Sequence, residues 1–277
     1  MILFIFALLP EAQPFLQRLK LKKHSPGNRL EIYLNDEYAV LITGIGKVPA
    51  AVRTARALQL PELADVLRVV NLGICGCGDM TAPVGKCFLI NNIREMATGR
   101  TFFPDMLEKH SFTEGTLVTV DRPQKGGPEE SLVPVLYDME AAGIFQAASA
   151  VISVDRLHFL KVVSDHLDGG PLGKEVVEKL LESVADEVLN FVCALPVAGP
   201  IHVINQEEHA ALENLQLTLR LTQTQSVQVR DLAMAFLLSG GVGLVEKLFA
   251  AANNPPKTPT KTSRKIALEQ LHHVLGT

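Results

Sequence analysis

The sequence of 277 residues is poor in cysteine and has no cluster of basic residues. Its four cysteines are too few for a disulfide framework in a chain of this length, and Cys75 and Cys77 form only a C-x-C, without the other ligands that a metal site needs. We expect Cys75 and Cys77 to be small buried thiols of a protein in the reducing cytoplasm. Lysine and arginine are scattered and the net charge is −4, which argues against nucleic acid as a partner.

Long hydrophobic runs are also missing. No segment reaches the roughly 18 uninterrupted apolar residues of a membrane-spanning helix, so no membrane partner is expected. The apolar opening MILFIFALLP lacks basic residues and a small-residue cleavage site, and it is better explained as a buried first strand than as a signal peptide. Hydrophobic residues nevertheless make up 47% of the chain and charged residues 20%, which is typical of a folded globular protein.

Short apolar runs alternate with helical patterns over the first two-thirds of the chain. This alternation is typical of an α/β domain with a largely parallel or mixed sheet. The predicted strands cover residues 2–8, 30–34, 38–42, 68–72, 86–91, 116–120 and 158–163. The predicted helices cover residues 11–21, 48–58, 139–151 and 173–195.

Beyond Pro196 the patterns are helical only, from residue 205 to residue 275, with the Pro- and Thr-rich segment NNPPKTPTKT between them. We therefore predict two domains, an α/β domain over residues 1–196 and a small all-helical C-terminal extension over residues 197–277. An extension of this size either packs on the main domain or binds a partner.

Four segments place polar or glycine residues where a predicted strand meets a loop, the usual ligand position in open α/β sheets. They are ALLPEAQPF with Glu11, ITGIGKVPAA with Gly44 and Gly46, VVNLGICGCGDM with Gly73, and LKVVSDHLDGG with Ser164 and Asp165. Each also has a plain structural explanation: a carboxylate at a helix N-terminus, a tight glycine turn, or an aspartate bonded to the amides of a turn. Taken singly, these segments leave both explanations open.

The stretch YDMEAAGIFQAAS puts Asp138 and Glu140 at the head of an otherwise apolar segment. Charged side chains are almost never buried unless something pairs with them or bonds to them. The two acids therefore either sit at an exposed helix start or hold a ligand.

In this order along the chain, ALLPEA, TGIGKVPAA, NLGICG, YDMEAAGI and VVSDHLD resemble the successive motifs of the nucleoside phosphorylase and nucleosidase superfamily. The resemblance is closest to the 5'-methylthioadenosine/S-adenosylhomocysteine nucleosidase branch, and it covers about residues 1–195. It implies a three-layer α/β fold with a central mixed sheet and an N-glycosidase that acts on purine nucleosides. It also implies a cytoplasmic homodimer that needs no metal and no organic cofactor.

The resemblance assigns the chemistry to three acids. Glu140 matches the glutamate that accepts hydrogen bonds from the ribose 2'- and 3'-hydroxyls, and an acceptor-only carboxylate suits a vicinal diol. Asp165 matches the aspartate that protonates N7 of the purine, and general-acid help of this kind is typically worth ~10²–10⁴ in rate. Glu11 matches the acid that orients the attacking water. Asp138 is left as the cap of the following helix.

Other positions are expected to bind substrate without taking part in the chemistry. Met139 and Ile45 match residues that line the nucleoside pocket. Ser164 stands beside the predicted acid, and Gly73 would let a ligand approach the backbone closely. The aromatic residue expected to stack on the purine aligns with Pro123, so stacking is expected from Phe102 or Phe103, in a loop that can reach the pocket of a neighbouring subunit.

Two further positions bear on the reaction. Phosphorylases of the superfamily place an arginine at the position of Asn71, so water is the expected nucleophile. Ile74 stands where the nucleosidases have a serine whose hydroxyl could hold that water. We expect hydrolysis of a methylthioadenosine-, adenosylhomocysteine- or futalosine-like nucleoside. The alternatives are a phosphorolytic enzyme and a catalytically silent nucleoside-binding protein whose helical extension is an interaction module.

Overall fold

The computed structural model describes residues 1–24, 30–126, 134–170, 172–195, 204–252 and 261–275. The chain divides into two compact units, Met1–Gly199 and Pro200–Thr277. The predicted domain boundary at residues 196–197 and most of the predicted NNPPKTPTKT segment lie outside the described residues.

The described part of the first unit contains one mixed sheet. Its strands are β1 Ile2–Phe6, β2 Lys22–His24, β3 Glu31–Leu34, β4 Tyr38–Ile42, β5 Arg68–Cys77, β6 Cys87–Glu95, β7 Thr101–Phe102, β8 Thr113–Thr119, β9 Val135–Asp138 and β10 Leu157–Asp165. Strands β2, β3, β4, β1 and β5 follow one another across the sheet, and β5, β10, β6, β8 and β9 pair in a closed ring. The pairs of β1 with β4 and β5, and of β5 with β10, are parallel.

Helices cover both faces of this sheet. They are α1 Leu9–Arg18, α2 Lys47–Ala57, α3 Ala141–Ala148 and α4 Lys174–Ala194. Helices α2 and α3 contribute to a hydrophobic core on one face, and α1 and α4 contribute to a second core on the other face. Strand β5 contributes side chains to both cores, Val69 and Cys75 to the first and Val70 and Leu72 to the second. The predicted three-layer α/β architecture is confirmed.

The central strands are predicted best because parallel strands covered on both faces are apolar along their whole length. Three short strands, β2, β7 and β9, are missing from the prediction. Strand β5 also extends to Cys77, beyond the predicted end at Leu72, because its glycines continue the strand instead of forming a turn. Of the two explanations left open for these glycines, a turn directly after Leu72 is excluded.

The second unit is helical in its described part, as predicted. Its helices are α5 Gln206–Leu219, α6 Gln223–Leu238, α7 Leu244–Ala252 and α8 Lys261–Leu275. Asn205 and Thr222 cap the first two with reciprocal side-chain bonds to Glu208 and Gln225. The helices share a small apolar core that includes Leu215, Leu248 and Leu271. Across the described ranges, no helix combines the length and the apolar character needed to span a membrane.

Candidate active site

A cavity of about 380 Å³ opens where β5 and β10 end and α1 and α3 begin. Six of the eight residues predicted for the site line it, namely Glu11, Ile45, Met139, Glu140, Ser164 and Asp165. These residues come from distant parts of the sequence. The ends of the strands bring them together, as expected for the carboxyl edge of an α/β sheet.

Glu11 lies in the first turn of α1 and is only 2% exposed. One carboxylate oxygen accepts a hydrogen bond from the Leu8 amide at 2.8 Å, and the other accepts one from the Ile74 amide at 2.9 Å. Burial raises the pKa of Glu11, and the bonds from Ile74 and Leu8 and the charge of Lys161 partly offset this effect. Glu11 is therefore held rigidly by backbone amides on both of its oxygens.

Gly73 acts through Glu11 and does not line the cavity itself. A side chain at this position would place its Cβ 2.9 Å from Oε1 of Glu11. The glycine is therefore required for the carboxylate to reach the backbone of β5. The expected close approach at Gly73 is real, but its partner is a protein carboxylate.

Glu140 occupies the N-terminal cap position of α3 and is buried. Its Oε1 accepts a hydrogen bond from the Gly46 amide at 2.8 Å, and its Oε2 receives only a long one, 3.3 Å, from the Met139 amide. Gly46 has φ 107°, a backbone conformation that glycine adopts without strain. Burial, followed by the charge of Asp138, raises the pKa of Glu140 to about 7, although Lys161 counteracts this. Among the described residues, therefore, this carboxylate has only these two donors.

A buried ion pair that the sequence analysis missed lies behind the three acids. Lys161, in β10, places Nζ 2.9 Å from Oδ2 of Asp138, and both side chains are almost fully buried. Asp138 also accepts hydrogen bonds from Thr119 Oγ1 at 2.7 Å and from the Ala141 amide at 2.9 Å. Asp138 thus bonds the amide of Ala141, the first residue of α3, but the cap position predicted for Asp138 is occupied by Glu140.

Lys161 remains charged although burial by itself lowers the pKa of an ammonium group. The negative charges of Asp138, Glu140 and Glu11 outweigh that penalty, and the pKa of Lys161 is raised overall. One buried cation thus interacts favourably with three carboxylates. The sequence feature that points to this ion pair is a single lysine inside the apolar strand HFLKVV.

Asp165 ends β10 and is half-buried at the cavity. Its Oδ1 accepts a hydrogen bond from the Leu167 amide at 2.9 Å, and Ser164 Oγ lies 2.6 Å from its Oδ2. Ser164 Oγ also lies 3.0 Å from the Cys75 carbonyl oxygen, and its single proton serves one acceptor at a time. Asp165 therefore bonds an amide of the turn and also lines the cavity.

No family model matches the sequence, and no curated protein sequence matches it either. Solved structures do match. 5'-Methylthioadenosine nucleosidase from Arabidopsis thaliana aligns with TM-score 0.56 and 22% identity over 70% of this chain and 96% of that one. The 5'-methylthioadenosine/S-adenosylhomocysteine nucleosidase from Helicobacter pylori aligns with TM-score 0.54 and 16% identity, over 70% and 98% of the chains. A futalosine hydrolase mutant from Helicobacter pylori aligns with TM-score 0.52 and 15% identity, over 70% and 99%.

The chain has the nucleosidase fold. At these identities the likeness concerns the fold, and it covers almost the whole length of each nucleosidase. The resemblance predicted from the five motifs is thus confirmed at the level of architecture.

The aromatic residues expected in the nucleosidase-fold site lie elsewhere in this chain. Phe103 is 61% exposed, and neither it nor Phe102 is among the described residues that line the cavity. Phe102 packs instead on Phe145, with ring centroids 5.1 Å apart. Pro123 does line the cavity, and so does Tyr137, an aromatic residue that the sequence analysis did not consider.

Two other observations limit where a site can be. A larger cleft, of about 500 Å³, lies between α5 and α6, but the charged side chains that line it, such as His209, Glu213 and Arg230, are exposed. Within the described ranges, no group of three or more His, Cys, Asp or Glu side chains is arranged to hold a metal ion. The nucleosidase-fold cavity is where buried charges converge.

Proposed function

We propose that the protein hydrolyses the N-glycosidic bond of a purine nucleoside and releases the free base and the sugar. The observation that carries the proposal is the convergence of Glu11, Glu140 and Asp165 on one cavity of a nucleosidase fold. The cavity volume of about 380 Å³ is in the range of small-molecule sites. The solved nucleosidases with this fold include complexes with nucleoside-like inhibitors.

Glu140 is proposed to bind the ribose. Its carboxylate is buried beside the cavity, and within the described ranges Oε2 receives only one long bond. The 2'- and 3'-hydroxyls of a nucleoside would supply the missing donors, which offsets the cost of burying the charge. Ribose binding therefore explains why a carboxylate stands at the head of the apolar helix α3.

Asp165 is proposed to protonate the purine at N7. A purine anion is a poor leaving group, and a proton delivered as the bond breaks lets the base leave neutral. The bonds from the Leu167 amide and the Ser164 hydroxyl fix the orientation of the carboxyl group toward the cavity. Such fixed orientation is what general-acid catalysis requires.

Glu11 is proposed to orient the attacking water. The amides of Leu8 and Ile74 hold its two oxygens in place, and the charge of Lys161 acts on the same carboxylate. Water is favoured over phosphate because none of the described residues that line the cavity is an arginine or a lysine. A phosphate ion would need such cationic donors.

The substrate class follows from the walls of the cavity. Leu8, Ile74, Leu172 and Val177 give it an apolar region next to the acids. This region suits a 5'-substituent such as an alkylthio group, so methylthioadenosine-, adenosylhomocysteine- and futalosine-like nucleosides are the proposed substrates. The reaction would belong to purine metabolism in the cytoplasm.

The decisive experiment is an assay of free base released from methylthioadenosine, adenosylhomocysteine, adenosine, inosine and futalosine, each with and without phosphate. Release without phosphate is the expected result. Release only with phosphate would select a phosphorylase. Binding of a nucleoside without release under either condition would select the catalytically silent alternative.

A homodimer is the proposed assembly. Ile45, Val48 and Val52 are apolar and more than half exposed, and Val48 and Val52 lie on one face of α2. Light scattering is expected to give about twice the chain mass of 30.1 kDa. Replacing Val48 and Val52 together by aspartate should yield a monomer, whereas the same change at the exposed Val227 of α6 should leave the dimer intact. A wild-type monomer would contradict the proposal.

Glu140 is expected to make nucleoside binding depend on pH. Its pKa is raised to about 7, mainly by burial, and only the ionised carboxylate can accept both ribose hydroxyls. The dissociation constant of the nucleoside should therefore fall as pH rises through about 7 and then level off. The measurement is a calorimetric titration over the pH range that brackets this value.

Stability has the opposite pH dependence, because the folded protein keeps on Glu140 a proton that the unfolded chain releases near the ordinary value of 4.5. The contribution of Glu140 to the free energy of unfolding should fall as pH rises from 4.5 to about 7. Glu140→Gln should flatten both profiles. A wild-type binding profile that is already flat across this range would show that Glu140 does not accept the diol.

A further inference from the structure

Tyr137 is the aromatic residue among the described residues that line the cavity. It is in β9, one residue before Asp138 of the buried ion pair. In the ladder between β9 and β5, Tyr137 stands directly opposite Gly76. On the other side of β5, Asp165 of β10 also stands opposite Gly76. Asp165, Gly76 and Tyr137 therefore form a row across three neighbouring strands.

The three residues of this row share one face of the sheet. A Cβ built on Gly76 would lie 3.3 Å from Oδ1 of Asp165, so the side chain of Asp165 is on the face toward which Gly76 would project. Directly opposed residues of an antiparallel pair point to the same face, which puts the ring of Tyr137 there too. Two strand spacings separate the Cα atoms of Asp165 and Tyr137 by about 10 Å. Leu167 lies still closer to that Cβ position than Asp165 does and covers Gly76 on the cavity side, so a planar base that reaches both side chains would lie on Leu167.

The hydroxyl of Tyr137 is available to a ligand. It makes no hydrogen bond within the part of the chain that the structure describes, and the side chain is half-buried. Burial, followed by the nearby thiol of Cys77, raises the pKa of Tyr137, so the group remains a donor at neutral pH. A half-buried phenol with an apolar ring and an unused donor is suited to a heteroaromatic ligand.

We propose that Tyr137 binds the purine base. Its ring packs against the base, and its hydroxyl bonds the edge of the base that is turned away from Asp165. The proposal rests on the proposed function and specifies its base subsite. It also accounts for the base contact that neither Phe102 nor Phe103 makes from within this chain.

The test uses intrinsic fluorescence, because the chain has three tyrosines and no tryptophan. Free adenine and free hypoxanthine are titrated into the protein with excitation at the red edge of the tyrosine band, where the bases absorb little. We expect saturable quenching in the wild type and in Tyr33→Phe, and loss of that quenching in Tyr137→Phe. Tyr33 is a matched control, because it lies on β3 and bonds Glu31 outside the cavity. Quenching that survives in Tyr137→Phe would overturn the proposal.

Base affinity, measured by calorimetry, provides a second readout. Tyr137→Phe removes one neutral hydrogen bond and should weaken base binding about 2- to 10-fold. Tyr137→Leu also removes the ring and should weaken it about 5- to 100-fold, as expected for a lost base–aromatic contact. Tyr33→Leu should bind as the wild type does. Wild-type affinity in Tyr137→Leu, or a wild type that binds neither base, would overturn the proposal.

The proposed function and this inference can fail separately. Base binding that depends on Tyr137, without cleavage of any nucleoside, would refute the hydrolase and leave the base subsite intact. Cleavage with unchanged kcat and KM in Tyr137→Leu would refute the base subsite and leave the hydrolase intact.

Discussion

Replacing Lys161 by methionine is expected to lower the free energy of unfolding by about 3–5 kcal/mol, the range found when one partner of a buried ion pair is removed. The substitution leaves Asp138 buried without its cation, and it also removes the charge that counteracts the repulsion among Asp138, Glu140 and Glu11. Methionine has a similar length and fills the same space, so little of the loss would come from a cavity. The measurement is denaturant unfolding followed by circular dichroism.

Two controls separate this effect from a general effect of losing a lysine. Lys23→Met removes a pair whose atoms are 3.8 Å apart and whose side chains are 61% and 39% exposed, so it should change stability by less than about 1 kcal/mol. The double variant Asp138→Asn with Lys161→Met should lose less than the sum of the two single variants, because no buried charge at position 138 is then left unpaired. Additive losses would show that the pair does not act as a unit.

The sequence predicts the central strands from their composition, whereas the three acids of the cavity are predicted from the resemblance of the motifs. A strand buried on both faces must be apolar throughout, and β1, β4 and β10 are recognisable on that basis alone. A carboxylate in an apolar segment must be paired, exposed or bound to a ligand, so Glu140 stands out, whereas Glu11 and Asp165 have plain structural explanations when taken singly.

The missed features depend on contacts between distant segments. Strand β9 has only four residues and pairs with β8, the preceding strand, and with β5, which is far from it in sequence. Because β9 was not predicted, Tyr137 had no assigned face and was not recognised as a cavity residue. Lys161 was visible as a charge in an apolar strand, but its partner Asp138 could not be assigned without the sheet order.

The prediction that Phe102 or Phe103 stacks on the base is limited for the same reason, the lack of information on distant contacts. Phe102 and Phe103 are local candidates because aromatic side chains suit a base, but composition does not tell which way a short strand faces. Strand β7 pairs with β6 and directs Phe102 against Phe145. The role of Phe103 in a neighbouring subunit's pocket stays a prediction that the dimer experiment bears on.

Asp165→Asn is expected to lower kcat for a natural nucleoside by about 10²–10⁴, the usual range for loss of a general acid. The fold should survive the change. The Oδ1 atom of asparagine can still accept the bond from the Leu167 amide, and the amide nitrogen can donate to Ser164 Oγ, whose proton then goes to the Cys75 carbonyl. The variant therefore removes the transferable proton and keeps the hydrogen-bonded frame. The matched control is Asp168→Asn, three residues along the same turn and exposed, which should retain full activity.

A substrate that needs no acid separates catalysis from binding. 4-Nitrophenyl riboside releases a stable anion without protonation, so Asp165→Asn should cleave it at close to the wild-type rate while remaining deficient with a purine nucleoside. Equal losses with both substrates would mean that Asp165 holds the substrate and does not protonate it. Undiminished kcat with the purine nucleoside would exclude Asp165 from the reaction. The base would then have to leave without a proton from Asp165, and hydrogen-bond donors elsewhere in the cavity would have to stabilise the negative charge on the departing purine.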